Sequence, residues 1–235
     1  EIIANEFDNR IEASTGSDRI AVGKGNDVVI AGGGNDEVFA GQGSDVVGGN
    51  AGFDTIRGGQ GFDTIGGGKG ADRISAGLGA DLVYGGAGHD RIEGDAGHDA
   101  LEGGRGMDTL IGGAGFDHIQ GVHSVNGRGI NERDRLEGGD LSDTFYLGDE
   151  YGAYYLDIGD GMVSFAHIVD FDAEDKLALA NKDGVRIIRN TTAAGVEGSG
   201  VGIFMGDDLV AFIQGDTAAI NSIDLDDDSK VENKR

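Results

Sequence analysis

Twelve aspartates recur at an interval of nine residues, and they are the side chains of this 235-residue chain whose spacing points most directly to chemistry. They are Asp18, Asp27, Asp36, Asp45, Asp54, Asp63, Asp72, Asp81, Asp90, Asp99, Asp108 and Asp117. Carboxylate oxygens are the ligands that hard divalent cations prefer. The unbroken register therefore predicts repeated cation binding, in which every copy of the repeat does the same work.

Glycine and aliphatic residues keep the same register around each aspartate. Ile, Val or Leu lies two residues after it, and a glycine lies two residues before it, at Gly16, Gly25, Gly34, Gly43, Gly52, Gly61, Gly70, Gly79, Gly88, Gly97, Gly106 and Gly115. Four residues before it the usual glycine is replaced at Ser14, Asn50 and Asp95. Asn and Asp tolerate a left-handed backbone better than other non-glycine residues, so we expect positive φ at Asn50 and Asp95. The repeat thus predicts six residues of turn and three of strand, and such short strands must stack on copies of themselves.

The stretches GGQGFDTIG and GGRGMDTLI resemble the RTX, or hemolysin-type calcium-binding, repeat family, and the resemblance covers residues 14–121. It implies an all-β chain: a right-handed parallel β-roll with two nonapeptides per coil, followed by a small antiparallel β capping domain. It also implies Ca²⁺ in the turns between successive coils, held by the twelve aspartates, by the turn glycines and by Asn50 and Asp95. Six turns on each edge leave five gaps, so we expect about ten ions.

The stacked carboxylates make this roll dependent on metal. Neighbouring strands lie about 4.8 Å apart, and two carboxylates at that distance repel by roughly 3 kcal/mol at an effective dielectric constant of 20. The 47 glycines add a large entropic cost of ordering. We therefore expect the bare roll to be unfolded, and metal binding and folding to be one event.

The repeat organises the chain into six predicted parts. They are an opening strand or N-terminal cap at 1–13, the roll at 14–121, an inserted loop at 122–133, degenerate final repeats at 134–147, a β capping and secretion-associated domain at 148–228, and a charged tail at 229–235. Asp134 and Asp143 are also candidate ligands, although Leu141 stands where a turn glycine is expected. Asp170, Asp172 and Asp175 could bind a further Ca²⁺ or act as turn and capping residues, and the sequence leaves both open.

The sequences HIVDFDAEDKLAL and DDLVAFIQG resemble the segments that follow RTX repeats in secreted proteins, notably cyanobacterial ones. The resemblance implies export by a type I secretion machine that reads an uncleaved C-terminal signal. It therefore implies a secreted, extracellular or cell-surface location.

A formal net charge of −25 argues against nucleic acid as a partner. No apolar run is long enough for a transmembrane segment, and no catalytic motif is evident. The sequence predicts a noncatalytic calcium-binding module of an extracellular structural or surface protein. The alternative is the noncatalytic secretion and folding module of a secreted protease, lipase or epimerase. One outer face of the roll carries Val28, Ile30, Val46 and Leu82, so we expect the C-terminal segment or a second copy of the chain to cover it.

Overall fold

The computed structural model describes residues 1–122, 132–149, 152–153, 155, 165–172, 174–179, 185–191, 200–205 and 208–214. Within these residues the chain forms strands and no helix. In chain order the strands are β1 (Ile2–Ile3), β2 (Arg10–Glu12), β3 (Arg19–Lys24), β4 (Val28–Gly33), β5 (Glu37–Gln42), β6 (Val46–Ala51), β7 (Thr55–Gln60), β8 (Thr64–Lys69), β9 (Arg73–Gly79), β10 (Leu82–Ala87), β11 (Arg91–Gly97), β12 (Ala100–Arg105), β13 (Thr109–Ala114), β14 (His118–Val122), β15 (Arg133–Asp140), β16 (Thr144–Tyr146), β17 (Gly148–Asp149), β18 (Gly152–Ala153), β19 (Phe165–Ile168), β20 (Lys176–Ala178), β21 (Val185–Thr191), β22 (Gly200–Met205) and β23 (Asp208–Ile213).

Alternate strands enter two different sheets, so the chain winds as a solenoid of about seven turns. One sheet has the order β1-β3-β5-β7-β9-β11-β13-β15-β19-β23-β22-β21, and the other has the order β2-β4-β6-β8-β10-β12-β14-β16-β20. All pairs from β1 to β16 within these sheets are parallel. From β1 to β14 the partners lie 18 positions apart, as in Val38 with Ile56 and Val47 with Ile65, and in the β13–β15 and β14–β16 pairs they lie 26 positions apart. This register confirms the predicted parallel β-roll with two nonapeptides per coil.

The core lies between the two sheets and is lined by the central aliphatic residue of each strand. These residues are at most 3% exposed: Ile20, Val29, Val38, Val47, Ile56, Ile65, Ile74, Val83, Ile92, Leu101, Leu110 and Ile119. Their neighbours point outward because successive side chains of a strand alternate between its faces. Most strands add only glycine at their second inward position, and Val22, Ala31, Ala40 and Ala76 are the buried exceptions in the regular coils, so the core is thin.

Parallel stacking continues beyond the predicted inserted loop. Strand β19 pairs in parallel with β15, and β20 pairs in parallel with β16. Strands β21, β22 and β23 then form an antiparallel sheet at the C-terminal end. This end is packed with the large buried side chains of Phe145, Tyr155, Phe165, Phe171 and Phe212. The predicted small antiparallel cap at the open end of the roll is therefore confirmed.

The apolar outer face is not covered by the described C-terminal strands, which instead extend the sheets. Val46 and Leu82 are 48% and 37% exposed, and Tyr84 is 40% exposed. Burial by the chain's own C-terminal segment was therefore wrong as far as the described residues reach. Most of the predicted inserted loop and the whole charged tail lie outside the described residues.

Among the described residues, no helix has the length and apolar character of a membrane span.

Candidate metal centre

Hydrogen bonds stack the aspartates into one column along each edge of the roll. The backbone N–H of each aspartate except the last of its column donates to Oδ1 of the aspartate in the next coil, at 2.7–2.9 Å. The Asp18 column contains Asp18, Asp36, Asp54, Asp72, Asp90, Asp108 and Asp134. The Asp27 column contains Asp27, Asp45, Asp63, Asp81, Asp99, Asp117, Asp143 and Asp175. Both degenerate repeats thus place their aspartates in the columns.

The turns that carry these aspartates depend on left-handed backbone. Asn50 and Asp95 have φ values of 75° and 69°, as the sequence predicts for this position. Leu141, where a turn glycine was expected, has φ of 77° although leucine rarely adopts this conformation. The aspartate of the degenerate repeat is therefore held in register at the cost of local backbone strain.

The second oxygen of nearly every column carboxylate is buried without a partner. Asp27 through Asp117 in the repeat register are at most 2% exposed, and Asp134 and Asp143 are fully buried. Oδ2 has no hydrogen-bond partner among the described residues in Asp27, Asp36, Asp45, Asp54, Asp63, Asp72, Asp81, Asp90, Asp99, Asp108, Asp117 and Asp143. A buried carboxylate oxygen without a partner is strongly destabilising, so the twelve such oxygens in the two columns indicate a common counterpart.

Backbone carbonyl oxygens face these orphan carboxylate oxygens across the gap between coils. A methyl group added to Gly67 would lie 2.5 Å from Asp72 Oδ2 and 2.8 Å from the carbonyl oxygen of Gly85 in the next coil. One added to Gly103 would meet Asp108 Oδ2 at 2.6 Å and the Gly121 carbonyl oxygen at 2.5 Å. We call such an oxygen-lined space a cradle. Four repeats carry a buried side chain at the position equivalent to Gly67, namely Val22, Ala31, Ala40 and Ala76.

Burial raises the pKa values of the column carboxyl groups, and it raises them most in the middle coils and in the coils toward the C-terminus. Burial and neighbouring carboxylates raise the pKa of Asp63 and Asp72 to about 6. The pKa of Asp99 rises to about 7 for the same reasons. That of Asp108 rises to about 8, because burial is greater and the charges of Asp134 and Asp90 add to it. Without a counter-ion the column carboxylates therefore favour their protonated form.

The donor set fits a large, hard cation. In the described part of the chain, no three acidic or histidine side chains converge on one point. Each cradle instead combines carboxylate oxygen with backbone carbonyl oxygen. Ca²⁺ accepts six to eight such oxygens in flexible geometry, whereas Mg²⁺ demands a tight octahedron and keeps its waters. The cradles therefore suit Ca²⁺.

Two acidic residues of the upper coils were not predicted as parts of these columns. Asp175 occupies a column position, since its Oδ1 accepts the N–H of Asp143 at 2.9 Å. Glu132 lies two residues before Asp134, where the twelve regular repeats carry glycine, and its Oε1 accepts the N–H of Gly106 at 3.1 Å. Its Oε2 is buried without a partner among the described residues. The register position of Glu132 relative to Asp134 was the available signal for it.

The acidic segment near Asp175 forms turn and capping hydrogen bonds. Both carboxylate oxygens of Asp170 accept backbone N–H groups, from Gly138 at 3.0 Å and from Gly139 at 2.9 Å. Oδ1 of Asp172 accepts the N–H of Glu174 at 2.7 Å. These are hydrogen bonds of the kind that turn and capping residues make.

A parallel β-solenoid with stacked acidic turns defines a class of repeat protein built around metal. The family model of the RTX calcium-binding nonapeptide repeat matches residues 3–37, 12–47, 48–83, 66–101, 76–110 and 102–121. These matches together cover half of the chain, and the chain belongs to this family. It therefore contains calcium-binding repeats, which are structural and not catalytic. No curated protein matches the chain significantly.

Proposed function

We propose that this chain is a noncatalytic module that folds on binding Ca²⁺ after secretion and stabilises an extracellular or cell-surface protein. The observation that carries the proposal is the set of twelve buried Oδ2 atoms without partners, arranged in two columns. Family membership supports the choice of Ca²⁺, and proteins with this repeat are generally secreted.

The proposed ligands are the column carboxylates and the carbonyl oxygens of the turns. The twelve repeat aspartates enclose ten gaps, and Asp134, Asp143 and Asp175 enclose three more above them. When bound, Ca²⁺ supplies the positive charge that each cradle lacks. The role of the protein is to present oxygens at a fixed spacing, because successive coils are locked in register by the hydrogen bonds between column aspartates.

Calcium-dependent folding fits a route through type I secretion. At the low Ca²⁺ concentration inside the cell, neighbouring carboxylates within each column repel one another. The chain then stays unfolded and can pass through the secretion channel. Millimolar Ca²⁺ outside then drives folding, because metal binding that requires a formed site adds its free energy to folding. In this proposal the roll at 14–121 is the calcium-dependent part, and the segment at 148–228 caps it.

Calcium titration of matched single-charge variants tests the proposal. Asp72→Asn removes a buried column carboxylate, and Glu93→Gln removes an equal charge from the outer face, where Glu93 pairs with Arg91. Exposed ion pairs contribute little to stability. We expect Asp72→Asn to raise the Ca²⁺ concentration at half-folding several-fold, followed by far-UV circular dichroism, and Glu93→Gln to leave it nearly unchanged. Equal midpoints for the two variants, or full β structure in excess chelator, would refute the proposal.

A further inference from the structure

The last carboxylate of the Asp18 column has a partner that the carboxylates below it lack. Asp134 is the top of this column, because its neighbour in the next coil is Ala166. Its Oδ1 accepts the N–H of Asp108 at 2.8 Å, as in the regular repeats. Its Oδ2 accepts the hydroxyl proton of Tyr155 at 2.6 Å. Tyr155 is fully buried, so its hydroxyl group contacts Asp134 inside the core.

The Tyr155 hydroxyl lies where a cradle would otherwise be. In the coil below, the space beside Gly103 is bounded by Asp108 Oδ2 and the Gly121 carbonyl oxygen. The equivalent space beside Gly121 is bounded by Asp134 Oδ2 and the Tyr155 hydroxyl oxygen, both of which a methyl group on Gly121 would overlap. The hydroxyl proton thus supplies Asp134 with the positive charge density that the lower carboxylates lack.

The Asp27 column ends in a comparable way. Asp175 is its top carboxylate, and its Oδ1 accepts the N–H of Asp143. Its Oδ2 accepts the backbone N–H of Asp172 at 2.9 Å. In the coil below, Oδ2 of Asp143 is buried without a partner among the described residues. Both columns therefore change from unpartnered to hydrogen-bonded at their last member.

We infer that hydrogen-bond donors, and not ions, terminate the two carboxylate columns. The donors are the Tyr155 hydroxyl at Asp134 and the Asp172 N–H at Asp175. This inference rests on the proposed function, since a terminator has meaning only if ions occupy the cradles below it. The coil after Asp134 offers no carboxylate at the column position, so an ion there would have an incomplete set of ligands. A hydrogen-bond donor satisfies the last carboxylate without such an incomplete ion site. Tyr155 is thus a positioning residue that determines where the ion series stops.

A crystal structure of the Ca²⁺-loaded wild-type chain, with anomalous difference maps, tests the inference directly. We expect peaks in the cradles below Asp134 and Asp175, and no peak within the coordination distance of about 2.3–2.6 Å from the Tyr155 hydroxyl oxygen. A peak at that oxygen, with the lower cradles filled, would overturn the inference and leave the proposed function intact. Empty cradles throughout would overturn the proposed function, and the inference would fall with it.

Tyr155→Phe tests the same inference in solution, with Tyr84→Phe on the exposed outer face as the matched control. Native mass spectrometry in saturating Ca²⁺ should count at least as many ions in Tyr155→Phe as in wild type, whereas loss of one ion would identify the hydroxyl as a ligand and overturn the inference. Removing a hydrogen bond to a buried carboxylate should lower Tm by roughly 4–10 °C. A Tm for Tyr155→Phe equal to that of Tyr84→Phe would also overturn the inference.

Discussion

The regular coils, residues 18–119, and the C-terminal end, residues 132–214, solve the same packing problem with different chemistry. The regular coils bury mainly the central aliphatic side chain of each strand, beside carboxylates whose Oδ2 atoms lack partners among the described residues. The C-terminal end buries large aromatic side chains and satisfies the last carboxylates with Tyr155 and the Asp172 N–H. We therefore expect the first region to need an external positive charge to be stable, and the second to derive more of its stability from its own side chains.

Removal of Ca²⁺ should therefore have the largest effect and should affect the two regions unequally. We expect excess chelator to abolish most β structure, because roughly 3 kcal/mol of repulsion returns for each neighbouring carboxylate pair. Hydrogen exchange with mass spectrometry should show full loss of protection in peptides within 36–119 and a smaller loss in peptides within 165–179 and 200–214. Identical loss in both regions would contradict the contrast drawn between them.

Two glycines of one strand, Gly66 and Gly68, allow a sharper test of the regular coils. Gly68 has φ of 110°, and an added methyl group would overlap the Asn50 carbonyl oxygen in the preceding coil. At Gly66 an added methyl group would meet nothing within 4 Å. In saturating Ca²⁺ we expect Gly68→Ala to lower Tm by roughly 5–10 °C, because it combines backbone strain with overlap between coils. Gly66→Ala should change Tm by no more than a degree or two, and a similar loss at both positions would show that coil spacing is not what restricts Gly68.

Proton binding should partly replace Ca²⁺ in the regular coils. The folded-state pKa of Asp72 is raised to about 6 and that of Asp108 to about 8, above the ordinary value of 3.8. The folded metal-free chain therefore binds more protons than the unfolded chain between these values, so its stability falls as pH rises through about 6 to 8. We expect calcium-free chain to gain β structure between pH 8 and pH 5, measured by circular dichroism.

The raised folded-state pKa values also predict that protons and Ca²⁺ compete for the column carboxylates. The apparent Ca²⁺ affinity should weaken as pH falls from 8 to 5, because the column carboxylates must lose their protons to bind metal. A calcium-free chain that is equally disordered at pH 8 and pH 5 would contradict the assignment of these pKa shifts. Calcium-loaded chain at pH 8 is the control for the fully folded signal.

The two regions also differ in what the sequence reveals about them. In the regular coils a residue contacts its partner 18 positions away. The nine-residue period, together with the two repeats per coil that the family resemblance implies, predicts the columns, and the residue types at Asn50 and Asp95 predict their left-handed backbone. At the C-terminal end the column contacts span 26 residues at Asp134 and 32 residues at Asp175. No period predicts these separations, because they depend on the lengths of the intervening segments. Tyr155 meets Asp134 only through the packing of the end itself, so no pattern in the sequence indicates it.

Leu141 gives the smallest expected effect and tests the C-terminal end alone. Its φ of 77° is unfavourable for a leucine. Its side chain is 51% exposed, so removing the side chain costs little buried apolar contact. A left-handed non-glycine residue costs roughly 1–2 kcal/mol. We therefore expect Leu141→Gly to raise Tm in saturating Ca²⁺ by a few degrees, even though glycine increases the entropy of the unfolded chain and offsets part of the gain. Because Asp143 already lies in its column, the Ca²⁺ concentration at half-folding should shift only slightly downward. A lower Tm for Leu141→Gly would mean that the leucine side chain contributes more to the end than its exposed position indicates.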